Sequence, residues 1–324
     1  MDAQSPFPKT LIEAVAYFAD EDKATEYTAG IRWPEGVACP ACGAKSVGYI
    51  KTRRKWQCKG CKKQFSVKTG TIMEDSPIPT GKWLVVMWLE CNAKNSISSY
   101  EIHRAIGVTQ KSAWFMLHRV REAMNAGTLV KMSGTVEADE TFVGGKAKNM
   151  HRAKRERLIK GRGAVGKAVV MGLLERHGGE DEASKVRAFV VRDTKRRTLQ
   201  PVVEEHVEPG SAVYTDSLAS YAGLSPTYVH DFIDHAERYV NGAVHTNGLE
   251  NFWSLFKRCI KGTHVSVDPA HLFRYVDAEA FRFNHRKQND GQRFRLTVGG
   301  IIGKRLTYKA LIGDNAGCPP EVQP

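Results

Sequence analysis

The chain has 324 residues, and its 48 Lys and Arg outnumber 35 Asp and Glu to give a formal charge of +13 at pH 7. That length allows two domains or one with appendages, and the charge is the footprint of a phosphate-rich partner without choosing between DNA, RNA and an anionic surface. No run approaches the roughly 18 to 20 apolar residues of a membrane span, the start lacks a charged-then-apolar leader, and seven Cys are an odd number for a disulfide framework, so a soluble intracellular protein is expected.

Residues 1–35 read as a helical segment in which Leu11, Ala14, Phe18, Ala24 and Tyr27 can share one face. Residues 36–70 carry Cys39 and Cys42, then Cys58 and Cys61, each pair separated by two residues. This spacing is that of a structural Zn2+ site, in which two short turns complete a tetrahedron of thiolates and leave no position open for water. The remaining cysteines, Cys91, Cys259 and Cys318, suit small core positions. Lys51, Arg53, Arg54, Lys55, Lys59, Lys62 and Lys63 around the ribbon are either phosphate contacts or a solvated face.

Residues 71–128 follow helical periodicity with breaks at Lys94–Ser98 and Gly107, which predicts three helices. Ser98 or Ser99 can cap the second and Thr109 the third, across a tight turn at Gly107. Two helices so joined have the geometry of a helix-turn-helix, with Gln110, Lys111, Ser112 and Trp114 as the groove-facing positions. The same pattern also serves as a plain packing unit.

From residue 129 to 288 the pattern becomes short β-prone runs separated by polar or helical segments, an α/β domain with a mixed sheet. Asp139 lies at the end of one such run and Asp216 at the end of another; either alone is better explained as a turn or cap residue. Helices are expected over Leu249–Lys261 and Ala270–Arg286, and on the first of them Glu250 and Lys257, seven residues apart, share a face. Glu140 follows Asp139, so it should point to the other side of the strand and be structural. Nine Lys and Arg between Lys146 and Lys167 make a basic loop that is either a solvated insertion or a DNA-backbone contact beside Asp139. Residues 289–324 are Gly-rich and less patterned, and are expected to be a weakly ordered tail.

The blocks RWPEGVACPACG, WQCKGCKKQFSVKTGTIM, VEADETFVGG, YTDSLASY, HTNGLENFWSLFKRCIKG and FRFNHR, in that order, resemble bacterial insertion-sequence transposases of the DDE type with an N-terminal zinc ribbon. The resemblance implies a ribonuclease-H-like catalytic fold, Mg2+ or Mn2+ at the catalytic site, terminal inverted repeats and target DNA as partners, a homo-oligomeric synaptic complex and a place at the bacterial nucleoid in the cytoplasm. By motif its acidic residues are Asp139 and Asp216, and the third is Glu250 or Asn247. A carboxylate is the better ligand for a hard cation, which favours Glu250, while His245 and Asn247 can line the pocket. The rival expectations are a zinc-ribbon DNA-binding regulator, an inactive transposase-derived protein and a hydrolytic nuclease.

Overall fold

A computed structural model of the chain describes residues 7–125, 127, 130–145, 151–153, 156, 166–177, 183–216, 218–225, 227–233 and 245–313. These residues form two units, Met1–Ala126 with Gln288–Ala316, and Gly127–Lys287 with Gly317–Pro324.

The first unit opens with α1 (Leu11–Phe18) and α2 (Glu21–Arg32), which start on side-chain caps at Thr10 and Asp20. A three-stranded antiparallel ribbon follows, β1 (Val47–Ile50), β2 (Lys55–Cys58) and β3 (Gln64–Phe65). Its small core is Trp56, Cys58, Phe65 and Val67, with Trp33 packed edge-on to Trp56. α3 (Thr80–Asn92) begins on an acceptor from another helix, because the Glu21 carboxylate accepts from the backbone N–H groups of Thr80 and Gly81 at 3.0 and 2.7 Å. α4 (Ser99–Ile106) starts on a reciprocal capping box between Ser98 and Glu101 and ends at Gly107, whose φ of 64° only a glycine adopts freely. Thr109 caps α5 (Gln110–Met124). The three helices and their breaks are those the periodicity predicts. Glu90 of α3 and Arg121 of α5 form a buried ion pair at 2.9 Å, with both side chains at most 1% exposed.

The second unit is built on a five-stranded mixed sheet of β4 (Thr135–Val143), β5 (Ala168–Glu175), β6 (Lys185–Val191), β7 (Ala212–Asp216) and β8 (Val229–Ile233), in the order β6-β5-β4-β7-β8. β5 is antiparallel to both β4 and β6, whereas β4, β7 and β8 run parallel. α6 (Arg196–His206) covers one face, where Val136, Ala138, Met171 and Leu173 meet Leu199 and Val203. α7 (Asn247–Arg258) and α8 (Leu272–Asn284) cover the other, where Val170 and Leu174 meet Leu249, Phe252, Trp253 and Val276. Cover on both faces accounts for the nearly unbroken apolar run of β5. Mixed topology with helices on both sides fits a ribonuclease-H-like domain.

The chain then returns to the first unit through α9 (Asp290–Gly299) and α10 (Tyr308–Ile312). For residues 290–312 this corrects the expectation of a weakly ordered tail, the residues after 313 lying outside the described ones: Phe294 is 1% exposed and lies against Phe18, Tyr27 and Trp88, with ring centroids 5.6, 5.6 and 5.0 Å away. The apolar spacing of α9 is sparse, and its one large anchor gains its burial from helices more than 200 residues earlier. Cys318 and most of the basic loop between Lys146 and Lys167 lie outside the described residues.

Candidate functional site

The ribbon brings Cys39, Cys42, Cys58 and Cys61 together with their sulfurs within 4.8 Å of one another. Cys39 and Cys61, and Cys42 and Cys58, stand 3.6 Å apart. A tetrahedron of Zn–S bonds of about 2.3 Å has sulfurs roughly 3.8 Å apart, so the donor set and its spacing fit a structural Zn2+. Gly43, with φ of 73°, supplies the left-handed turn after the first pair.

The second cluster lies at the carboxyl end of β7, beyond the point where β4 and β7 part. Their parallel ladder ends at Glu137 and Tyr214, while β4 continues to pair with β5 as far as Val143. Asp139 therefore sits within a nine-residue strand, just past the end of one ladder, where the gap to Asp216 opens. Crevices outside the carboxyl ends of parallel strands are where α/β sheets bind ligands. Asp139, Glu140 and Asp216 bring carboxylate oxygens within 4.8 Å of one another, and all three are half-buried.

The two neighbours on β4 reach this gap from opposite faces. Glu137 and Asp139 face α7. Glu137, buried, accepts from the backbone N–H of Leu249 at 2.9 Å and from Arg176 Nε at 2.6 Å, and Asp139 accepts from Trp253 Nε1 at 2.9 Å. Gly172 pairs with Asp139 across the ladder, and a Cβ there would stand 2.7 Å from the Trp253 ring and 2.8 Å from Leu249, so the bare backbone lets α7 come this close. On the other face Glu140 accepts a hydrogen bond from the Tyr221 hydroxyl. Asp216 is held by the backbone N–H of Leu218 at 3.1 Å.

Burial in this gap raises the proton affinity of Asp139 and Glu140. Burial pushes Asp139 up to about 6, against the Trp253 hydrogen bond and with the help of the charges on Asp216 and Glu250. Burial likewise pushes Glu140 up to about 8, opposed by its Tyr221 hydrogen bond and reinforced by Asp216 and Asp139. Half-buried carboxylates that pair with no Lys or Arg among the described residues are a donor set of hard oxygens, the kind that divalent cations take.

The acids named from sequence are thus brought together in part. Asp139 and Asp216 meet. Glu250 is exposed on the first turn of α7; its charge acts on Asp139, but its oxygens lie outside the 4.8 Å group. Asn247 is exposed at the start of the same helix, and Lys257 is half-buried near its end. His245 sits beside Glu137 and Arg176, its Nδ1 2.7 Å from Arg176. Glu140 leaves the strand on the far side, as alternation requires, yet its carboxylate lies within the same group as those of Asp139 and Asp216. Reading the sequence missed Glu137, which shares Asp139's face at a spacing of two, and Arg176, Gly172 and Tyr221, for which it carries no local signal.

In the first unit the four expected groove positions have neighbours of their own. Gln110 donates to Ser99 Oγ at 2.9 Å, Ser112 accepts from and shares the cap of Thr109, Lys111 lies 4.7 Å from the ring of Tyr308, and Trp114 packs on His118. Lys111 is the exposed member.

One chain thus carries a mixed sheet with acids gathered at parallel strand ends and a separate four-cysteine ribbon. Two segments match known domain families: residues 19–64 the transposase zinc-ribbon domain, and residues 131–284 the ISXO2-like transposase domain. The chain is 29% identical over 277 residues to a Halobacterium salinarum protein described as an uncharacterized protein in transposable element ISH50, across 82% of this chain and 91% of that one. It is 32% identical over 102 residues to an uncharacterized transposase-like protein of Haemophilus influenzae, across 31% of this chain and 82% of that one. The chain belongs to the insertion-sequence transposases that join a zinc ribbon to an ISXO2-like domain, and DNA is the partner this family implies. Among the described residues no helix is long and apolar enough to cross a membrane.

Proposed function

We propose that the protein cuts and joins DNA at the ends of an insertion sequence, using Asp139, Asp216 and Glu250 as the acids of a DDE-type site. The observation that carries this reading is the meeting of Asp139 with Asp216 in the gap between two strands, beneath a helix that bears Glu250 and is tied to Asp139 through Trp253. These carboxylates would hold divalent cations, Mg2+ or Mn2+, which would supply Lewis-acid stabilisation to a phosphodiester undergoing displacement. The chain's own contribution is positional. Trp253 fixes the rotamer of Asp139, the Leu218 N–H fixes Asp216, and Lys257 offers a cation to a DNA phosphate on the face of α7 that carries Glu250. Asn247 and His245 border the same helix start.

In the first reaction a water oxygen attacks phosphorus at the element's end, the bond to the 3′ oxygen breaks, and a 3′ hydroxyl is left. In the second that hydroxyl attacks a phosphodiester of target DNA and displaces its 3′ oxygen. Both are in-line displacements. The ribbon and the α4–α5 pair, with Gln110, Lys111, Ser112 and Trp114 at the start of α5, are assigned to terminal-repeat recognition in the manner of a helix-turn-helix. Two ends must be held at once, so a homo-oligomer is the working species, acting in the cytoplasm at the nucleoid.

Asp139→Asn tests the reading, because it keeps shape and removes charge. Cleavage of a duplex carrying the terminal repeats should vanish in Mg2+ while gel-shift affinity for it stays within about twofold, since phosphate contacts elsewhere set binding. Cleavage that persists rejects the site. A joined strand-transfer product, absent for a plain hydrolytic nuclease, separates the two forms of the reaction.

A further inference from the structure

We propose that Glu140 is a ligand of the divalent cation in this site, and that Tyr221, from the opposite face of the sheet, is the positioning residue that holds it there. The inference rests on the metal-dependent reading above and deepens it.

Three observations carry it. Glu140 presents an oxygen within 4.8 Å of both Asp139 and Asp216, a closeness that Glu250 does not share. Among the described residues no Lys or Arg forms an ion pair with any of the three, so the charge that relieves their mutual repulsion there is a proton or a cation entering between them. Tyr221 is 1% exposed in the core beneath α6, and its hydroxyl donates to Glu140. The turn that carries it, Ala219–Tyr221, begins three residues after Asp216, and Gln200 of α6 donates to the carbonyls of Ser220 and Ala222 at 3.1 and 2.9 Å. One short connection thus supplies both Asp216 and the hydroxyl that aims Glu140.

A buried Tyr hydroxyl needs some acceptor, but a backbone carbonyl or an amide serves that end. A carboxylate set against two others costs electrostatic energy in return for nothing unless it binds something positive. Oxygen ligands are kept in place by partners behind them, and loss of such a partner costs about 10- to 100-fold in metal affinity.

The test is Mn2+ binding by the full, zinc-loaded chain without DNA, followed by the EPR signal of free Mn2+. Melting curves and zinc content establish that each variant is folded. Asp139→Asn and Asp216→Asn report on the site itself. Glu140→Gln keeps the shape and the acceptor for Tyr221 while removing the ligand charge, so a structural role would leave affinity unchanged. We expect E140Q to weaken Mn2+ at least about tenfold, Tyr221→Phe to weaken it by about tenfold, and the double variant to be no worse than E140Q. Should E140Q fail to fold, Glu140→Asp, which keeps the charge but retracts it, must weaken binding as well. If D139N and D216N lose Mn2+ while E140Q binds like the unaltered protein, the role of Glu140 is overturned and the site reading survives. Unchanged Mn2+ affinity in D139N and D216N overturns both.

Discussion

Asp139 and Glu140 are acids whose ordinary values of 3.8 and 4.5 are moved up to about 6 and about 8 by burial and by each other's neighbours. The sign of the consequence is fixed by linkage. In the unfolded chain both ionise near pH 4, whereas the folded site keeps its protons longer, so the folded state binds more protons between about pH 4 and pH 8 and loses stability as pH rises through that window. We expect the melting temperature of the cation-free protein to fall from pH 5 to pH 8 and Mn2+ to restore it. The fall should shrink in E140Q and D139N. Melts at matched ionic strength check this, and equal slopes in all three proteins would contradict it.

At the scale of the element, α7 is the part that couples the sheet to the site. Its first turn is tied to β4 through Glu137, its middle to Asp139 through Trp253, and its close approach depends on Gly172. Glu137→Ala leaves Arg176 and the Leu249 N–H without the carboxylate they share, and should cost about 3–5 kcal/mol in chemical denaturation, because one member of a buried pair is stranded. Gly172→Ala forces its methyl into Trp253 and should cost about 1–3 kcal/mol while also lowering cleavage. Little of this was legible beforehand. The helix itself, from its apolar spacing, was; that it docks on the strand bearing Asp139 was not, since a hydrophobic stripe states only that a face is buried and leaves its partner open. By contrast the caps of α4 and α5 were legible to within a residue, Ser98 or Ser99 for the first and Thr109 for the second with Gly107 between, because such caps act on backbone groups three or four positions away.

Across the whole molecule, the chain begins in one unit, builds a second, and returns to complete the first with α9. Phe294 closes a cluster with Phe18, Tyr27 and Trp88, so Phe294→Ala should destabilise that unit by about 3–5 kcal/mol. Differential scanning calorimetry should then show the transition of the ribbon-bearing unit lowered while Mn2+ binding in the other unit stays intact. A drop in Mn2+ affinity would contradict the division.

The amino-acid sequence alone settled the local matters: four thiols at intervals that suit one tetrahedral ion, helix starts and stops, β-prone runs, and motifs that mark the family. These depend on neighbours a few residues apart. The three-dimensional fold decided which acids meet. Asp139 and Asp216 are far apart in the chain, and Glu140 joins them although strand alternation sends it the other way. That outcome depends on where β4 leaves β7 and on a tyrosine mounted beneath the sheet, and ladder ends and core anchors are set by packing between distant segments.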